Sequence, residues 1–80
     1  MSRLDTSEIS FIYFILDSKG VALSDIVPIC LRLGSIQIRQ AAKEADVSPD
    51  HFRKMLHGKR PPTKKARFIL EKYIGVDPWE

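Results

Sequence analysis

The spacing of apolar residues shifts along this chain, and each shift coincides with a capping residue or a glycine. The first block is dense: Phe11, Ile12, Tyr13, Phe14, Ile15 and Leu16 are consecutive. A helix built from them is apolar on every side, so it is expected to be buried all round or to pair with another chain. Asp5, followed three residues later by Glu8, reads as a capping box, and Gly20 supplies a stop, which predicts a helix over Thr6–Ser18. A second helix is predicted over Asp25–Leu33, with Ser24 as cap and Gly34 as stop. Pro28 then falls within its first turn or just after it, where a missing amide hydrogen costs least.

Further along, the apolar positions narrow to stripes. Ile38, Ala41, Ala42 and Ala45 line one side of a predicted third helix, Ile36–Ala45, opened by Ser35. Small side chains there suit the close approach of another helix. Ser48-Pro49, a cap followed by proline at the first helical position, opens a fourth helix, Pro49–His57, which Gly58 ends. Its Phe52, Met55 and Leu56, at i, i+3 and i+4, form a core-facing edge, leaving Asp50, Arg53, Lys54 and His57 on the other face. Thr63 caps a fifth helix, Lys64–Ile74, ended by Gly75. Phe68, Ile69, Tyr73 and Ile74 are expected to face inward there, with Lys64, Lys65 and Lys72 toward water. β-Branched residues cluster over 9–15, yet no run alternates cleanly and no Asn-Gly or Asp-Gly hairpin turn occurs. The expected fold is all-α: a helical hairpin over 6–34, a helix pair over 36–57 and a closing helix over 63–75.

Composition limits what such a fold can do. Eighty residues fit one domain, spanning 1–80, without room for separate catalytic and regulatory domains. The core is modest, so a partner subunit would add stability. The single Cys30 cannot form an internal disulfide, and in Ile29-Cys30-Leu31 it reads as a buried, reduced thiol of a cytoplasmic protein. The apolar stretch over 9–16 lacks the basic lead-in of a secretory signal and is far shorter than the roughly 20 residues that span a bilayer. His51, His57 and Cys30 lack metal-ligand spacing, and there is no supported Ser/His/Asp set or phosphate-cradling glycine loop. No enzymatic activity, metal, cofactor or small-molecule ligand is therefore expected.

Charge is mild in total, +3, but uneven. Residues 1–34 carry Arg3, Lys19 and Arg32 against Asp5, Glu8, Asp17 and Asp25, whereas residues 35–80 carry ten bases and six acids. Arg53, Lys54, Lys59, Arg60, Lys64, Lys65 and Arg67 fall between positions 53 and 67 with no acid among them. Such a run is either a solvated surface or a footprint for nucleic acid, and a scaffold that aims the charges decides between them.

The segment from Ile38 to His57, IRQAAKEADVSPDHFRKMLH, resembles the helix-turn-helix unit of the phage repressor and Cro family, the lambda-repressor-like proteins. That unit requires small or apolar residues where this chain has Ala41, Ala42, Ala45, Val47, Phe52 and Met55, because its two short helices cross steeply with their backbones close. The resemblance continues through Gly58-Lys59-Arg60-Pro61-Pro62-Thr63 to Gly75-Val76 and covers about 26–76. The closing Gly75-Val76-Asp77-Pro78-Trp79 is also similar to the tail of Ner-like phage regulators. Asp46 stands where the family places a left-handed glycine, which Asp tolerates better than most residues. Ile38 stands where the family often has a phosphate-contacting glutamine, with Gln37 one residue early. The helix over Thr6–Ser18 lies outside the family core, and the family's usual last helix is missing. The first helix is expected to take over its work, either closing the core or pairing subunits.

The resemblance implies a sequence-specific double-stranded-DNA-binding protein, a transcriptional repressor of phage or prokaryotic type, whose fourth helix enters the major groove. Ser48, Asp50, Arg53, Lys54 and His57 would reach base edges, with Arg53 placed for a bidentate contact to guanine worth about 1–3 kcal/mol. Asp50 would either accept from cytosine or complement the helix N-terminus. Lys59, Arg60, Lys64 and Lys65 would grip phosphates, positioning the protein without reading sequence. A second copy is expected to dock through Phe11, Ile12, Phe14 and Ile15. The alternative is a helical protein-interaction module that uses the apolar first helix for another partner.

Overall fold

The computed structural model describes residues 4–79, so Arg3, counted above, lies outside them. Five helices are found among these residues: α1 (Thr6–Ser18), α2 (Leu23–Leu33), α3 (Ile38–Glu44), α4 (Pro49–Leu56) and α5 (Lys64–Ile74), with no strand. The capping box that opens α1 is present, Glu8 N–H donating to Asp5 Oδ1 at 2.9 Å and Asp5 N–H to Glu8 Oε1 at 3.4 Å. Ser48 and Thr63 also cap as expected, accepting from His51 N at 3.1 Å and Ala66 N at 3.1 Å.

Two starts differ from expectation. Ser24 does not cap α2, because the extended residue is Ala22, whose carbonyl already accepts from Asp25 N and Ile26 N. Pro28 is consequently the sixth residue of α2, past the first turn, and Ser24 O loses the amide that would otherwise bond to it. Ser35 does not open α3 either. It adopts a left-handed φ of 62° and is consumed in ending α2, with Ser35 N donating to Arg32 O and Ile36 N to Leu31 O. The first helical residue of α3 is therefore Ile38. The same closure recurs at three other helix ends, where Gly20, Asp46 and Gly58 are the left-handed residues. Asp46, at φ 63°, thus adopts the conformation expected of it. His57 ends α4 as its cap rather than lying inside it.

α2 and α5 occupy the middle. α1 packs on both of them, while α3 packs on α4 and α5, and α4 also touches α2. The core runs through all five helices, from Ile9 and Tyr13 through Ile26, Val27, Cys30 and Leu31 to Phe52, Met55, Leu70 and Ile74. Of the six positions that the family pattern requires to be apolar, Ala41, Ala42, Ala45, Phe52 and Met55 are buried, and Val47 is half-buried against the core. Phe68 is not inward, being 67 % exposed. It lies two residues, about 200° of helix, from both Ala66 and Leu70, which the core takes instead.

α1 closes this core on one side only. Ile9 and Tyr13 are buried, and the α5 terminus sits so near that a Cβ at Gly75 would lie 2.9 Å from Thr6 Cγ2. Phe11, Phe14 and Ile15 remain exposed, whereas Ile12, grouped with them above, is half-buried. The residues after α5 fold back as a strap. Arg67 Nε donates to Asp77 Oδ2 at 2.7 Å, and the Asp77 side chain is only 8 % exposed. Trp79 N donates to Asp77 Oδ1, and Trp79 Nε1 to Met55 O at 3.4 Å. None of the described helices is long and apolar enough to cross a membrane.

Candidate nucleic-acid interface

α4 is short, begins on a serine cap with proline behind it, and buries Phe52, Met55 and Leu56. Those three anchors leave little freedom in where the other side points. Arg53, Lys54 and His57 are exposed on it, with Ser48 and Asp50 exposed at its start. Ser48 Oγ already accepts from His51 N, so its hydroxyl hydrogen remains for an outside acceptor. Asp50 lies in the first turn, where its charge complements the helix dipole, and Lys54 Nζ stands 3.2 Å from Asp50 Oδ2. Both partners are well exposed, so the pair constrains Lys54 only weakly.

The turn before α4 also meets α5 through an exposed ion pair. Left-handed Asp46 directs its carboxylate outward, and Lys65 Nζ lies 3.5 Å from Asp46 Oδ2. Lys65 is thereby drawn toward the α3–α4 turn, while Lys64 stays exposed beside it. On the other side of α3, Tyr73 Oη donates to the Glu44 carboxylate at 2.7 Å. Lys59 and Arg60 sit elsewhere, on the loop after α4, lining a shallow hollow of about 270 Å³ with Met55 and Trp79.

A larger open hollow, about 950 Å³, lies where α2, the start of α3 and α4 meet. Pro28 and Arg32 come from α2, Ser35 to Arg39 from the connection and α3, and Pro49, Arg53, Leu56 and His57 from α4. Arg32, Arg39, Arg53 and His57 all line it, and among the described residues no carboxylate does. Arg39 Nη2 donates to Gln37 Oε1 at 3.3 Å, which holds that guanidinium at the mouth of α3. Three guanidinium groups around an open depression attract anions and match the geometry of phosphate oxygens.

Of the nine residues expected at a DNA surface, Arg53 and His57 meet in this hollow. Ser48, Asp50 and Lys54 flank it along α4, Lys59 and Arg60 form a separate loop site, and Lys64 and Lys65 lie at the start of α5. Arg32 and Arg39 were not among the nine. A sequence signal for Arg32 existed: Ser24, Pro28 and Arg32 recur every fourth residue, a non-core stripe opposite Ile26 and Cys30. What the sequence could not supply was that this stripe faces α4. Comparison with family models, curated proteins and solved structures finds no match for this chain.

Proposed function

We propose that this chain is a lambda-repressor-like helix-turn-helix protein that binds double-stranded DNA sequence-specifically, with α3 and α4 as the unit and α4 entering the major groove. The observation that carries this reading is the carboxylate-free hollow where Arg32 and Arg39 flank the exposed Arg53 and His57 of α4. A solvated charged face has no need to gather arginines from three helices around one depression that, among the described residues, no acid lines. A DNA-reading face does, because base-reading side chains must be flanked by cations that hold the backbone. Burial of Ala41, Ala42, Ala45, Phe52 and Met55 between α3, α4 and their neighbours supports the same assignment.

In this reading Arg53 contacts guanine, Lys54 and His57 read adjacent positions, and Ser48 donates at the start of α4. Arg32, Arg39, Lys59, Arg60, Lys64 and Lys65 neutralise phosphates on either side. Occupying a promoter in this way occludes it, so the simplest biological outcome is repression. Selection of bound sites from random duplexes, followed by mobility shifts across a salt series, tests the proposal. A consensus should emerge, and log affinity should fall with log salt by about 0.9 for each phosphate neutralised. No enriched sequence, together with salt-independent retention, would overturn it.

A further inference from the structure

We infer that the outer face of α1 seats a second copy of this chain, docked antiparallel across a two-fold axis. Phe11 and Phe14 are 67 % and 57 % exposed, and Ile15 of α1 and Ile29 of α2 add 39 % and 45 %. Ser7, Phe11, Phe14 and Ser18 are spaced four, three and four residues apart, so they form one stripe along α1. That stripe reads small, large, large, small in both directions. Its midpoint falls between residues 12 and 13, the symmetry an isologous antiparallel contact requires. Phe11 then lies against the partner's Phe14, and Ser7 against the partner's Ser18, where a small side chain lets the helices stay close.

Three further observations favour a second copy over another occupant. The Phe14 ring is held edge-on against Tyr13, with centroids 5.8 Å apart and planes at 87°, so it is preorganised rather than floating. Glu8 and Lys19 are both exposed on the Ile15 flank of the stripe, and the same two-fold brings Glu8 within a helical turn of the partner's Lys19, twice per dimer. The exposed apolar side chains amount to roughly 400 Å² per copy, taking typical areas for aromatic and aliphatic residues. With the polar rim, two copies bury about 1,200 Å², the lower limit for a stable specific interface. This inference stands apart from the DNA reading and is tested on protein alone.

Sedimentation of the full chain from low to high micromolar concentration should reveal a shift from 9.1 kDa toward twice that mass. Phe14→Glu should remain monomeric throughout with an unchanged helical circular dichroism spectrum, since that side chain is outside the core. Orientation is read by cross-linking with a short bis-maleimide. Ser7→Cys together with Ser18→Cys should give covalent dimers, whereas Ser7→Cys alone should not, its two copies being about 16 Å apart in the antiparallel arrangement. Cys30 is fully buried and does not compete. A wild-type chain that stays monomeric at high concentration overturns the proposal, as does efficient cross-linking of Ser7→Cys alone.

Discussion

Gly75→Ala tests whether α1 and the end of α5 are held as closely as the structure has them. Gly75 adopts φ 78°, a left-handed conformation that costs a residue with a Cβ about 1–2 kcal/mol. A Cβ there would also lie 2.9 Å from Thr6 Cγ2, 3.1 Å from Ser10 Cβ and 3.3 Å from Thr6 O. Thr6 Cγ2 can rotate away, but Ser10 Cβ and Thr6 O move only if α1 itself moves. Overpacking of that kind costs about a further 1–3 kcal/mol, so the total is about 3 kcal/mol, a large part of the stability of so small a domain. Gly20 provides the control: its φ is 81°, yet a Cβ there meets nothing within 4 Å. Gly20→Ala should therefore cost about 1–2 kcal/mol, the conformational part alone. Urea unfolding followed by circular dichroism measures both. Equal losses for the two variants would mean that α1 does not press on Gly75, and the reasoning about how α1 closes the core would fail.

Other perturbations separate the remaining parts of the argument. Arg53→Ala should abolish preference for a selected site in a competition assay while leaving the unfolding midpoint unchanged, and retained preference would remove Arg53 from base reading. Neutralising Arg39 or Arg32 to Gln should instead weaken binding to every duplex alike and reduce the salt slope by about one unit; a loss confined to the cognate site would contradict phosphate contact. Ser35→Gly should stabilise the fold by about 0.5–1 kcal/mol in urea unfolding, because Ser35 holds φ 62°; destabilisation would mean its side chain has an unrecognised role. Burial raises the Cys30 thiol pKa, and burial, followed by the charges of Asp17, Cys30 and Asp77, raises that of the Tyr13 phenol. Both groups keep protons in the folded state that the unfolded chain releases, so their contribution is intact at neutral pH and declines from about pH 9 upward through the raised values. Stability that stays flat to about pH 11 would refute this.

The helices were legible where one residue type had one job. Asp5 with Glu8, Ser48 with Pro49, and Thr63 each announce a start, and the structure uses each as expected. Ser24 and Ser35 look the same locally but lost to competitors. Ala22 went extended two residues earlier, and the end of α2 needed a left-handed residue at Ser35 more than α3 needed a cap. Capping chemistry identifies serines that can cap, whereas which serine does is decided by the neighbouring helix end. Phe68 illustrates a different failure. It was expected inward beside Ile69, Tyr73 and Ile74, but helical phase relative to Ala66 and Leu70 decided otherwise.

The candidate site divides along the same line. Arg53, Lys54 and His57 could be read from the sequence because Phe52, Met55 and Leu56 fix the phase of α4 on their own. Arg39 could not, and Arg32 was legible only as part of a non-core stripe on α2; both acquire meaning where α2, α3 and α4 converge. That convergence depends on the closing turn of α2. Left-handed Ser35 and the Ile36 N to Leu31 O bond reverse the chain at once, so only Gln37 separates buried Ile36 from the start of α3. A longer connection would let the start of α3 swing away and take Arg39 with it. The left-handed turn at Ser35 thus sets the placement of the cationic hollow. Inserting two glycines after Ser35 should accordingly weaken DNA binding more than Arg39→Gln does, even at temperatures where the variant remains folded.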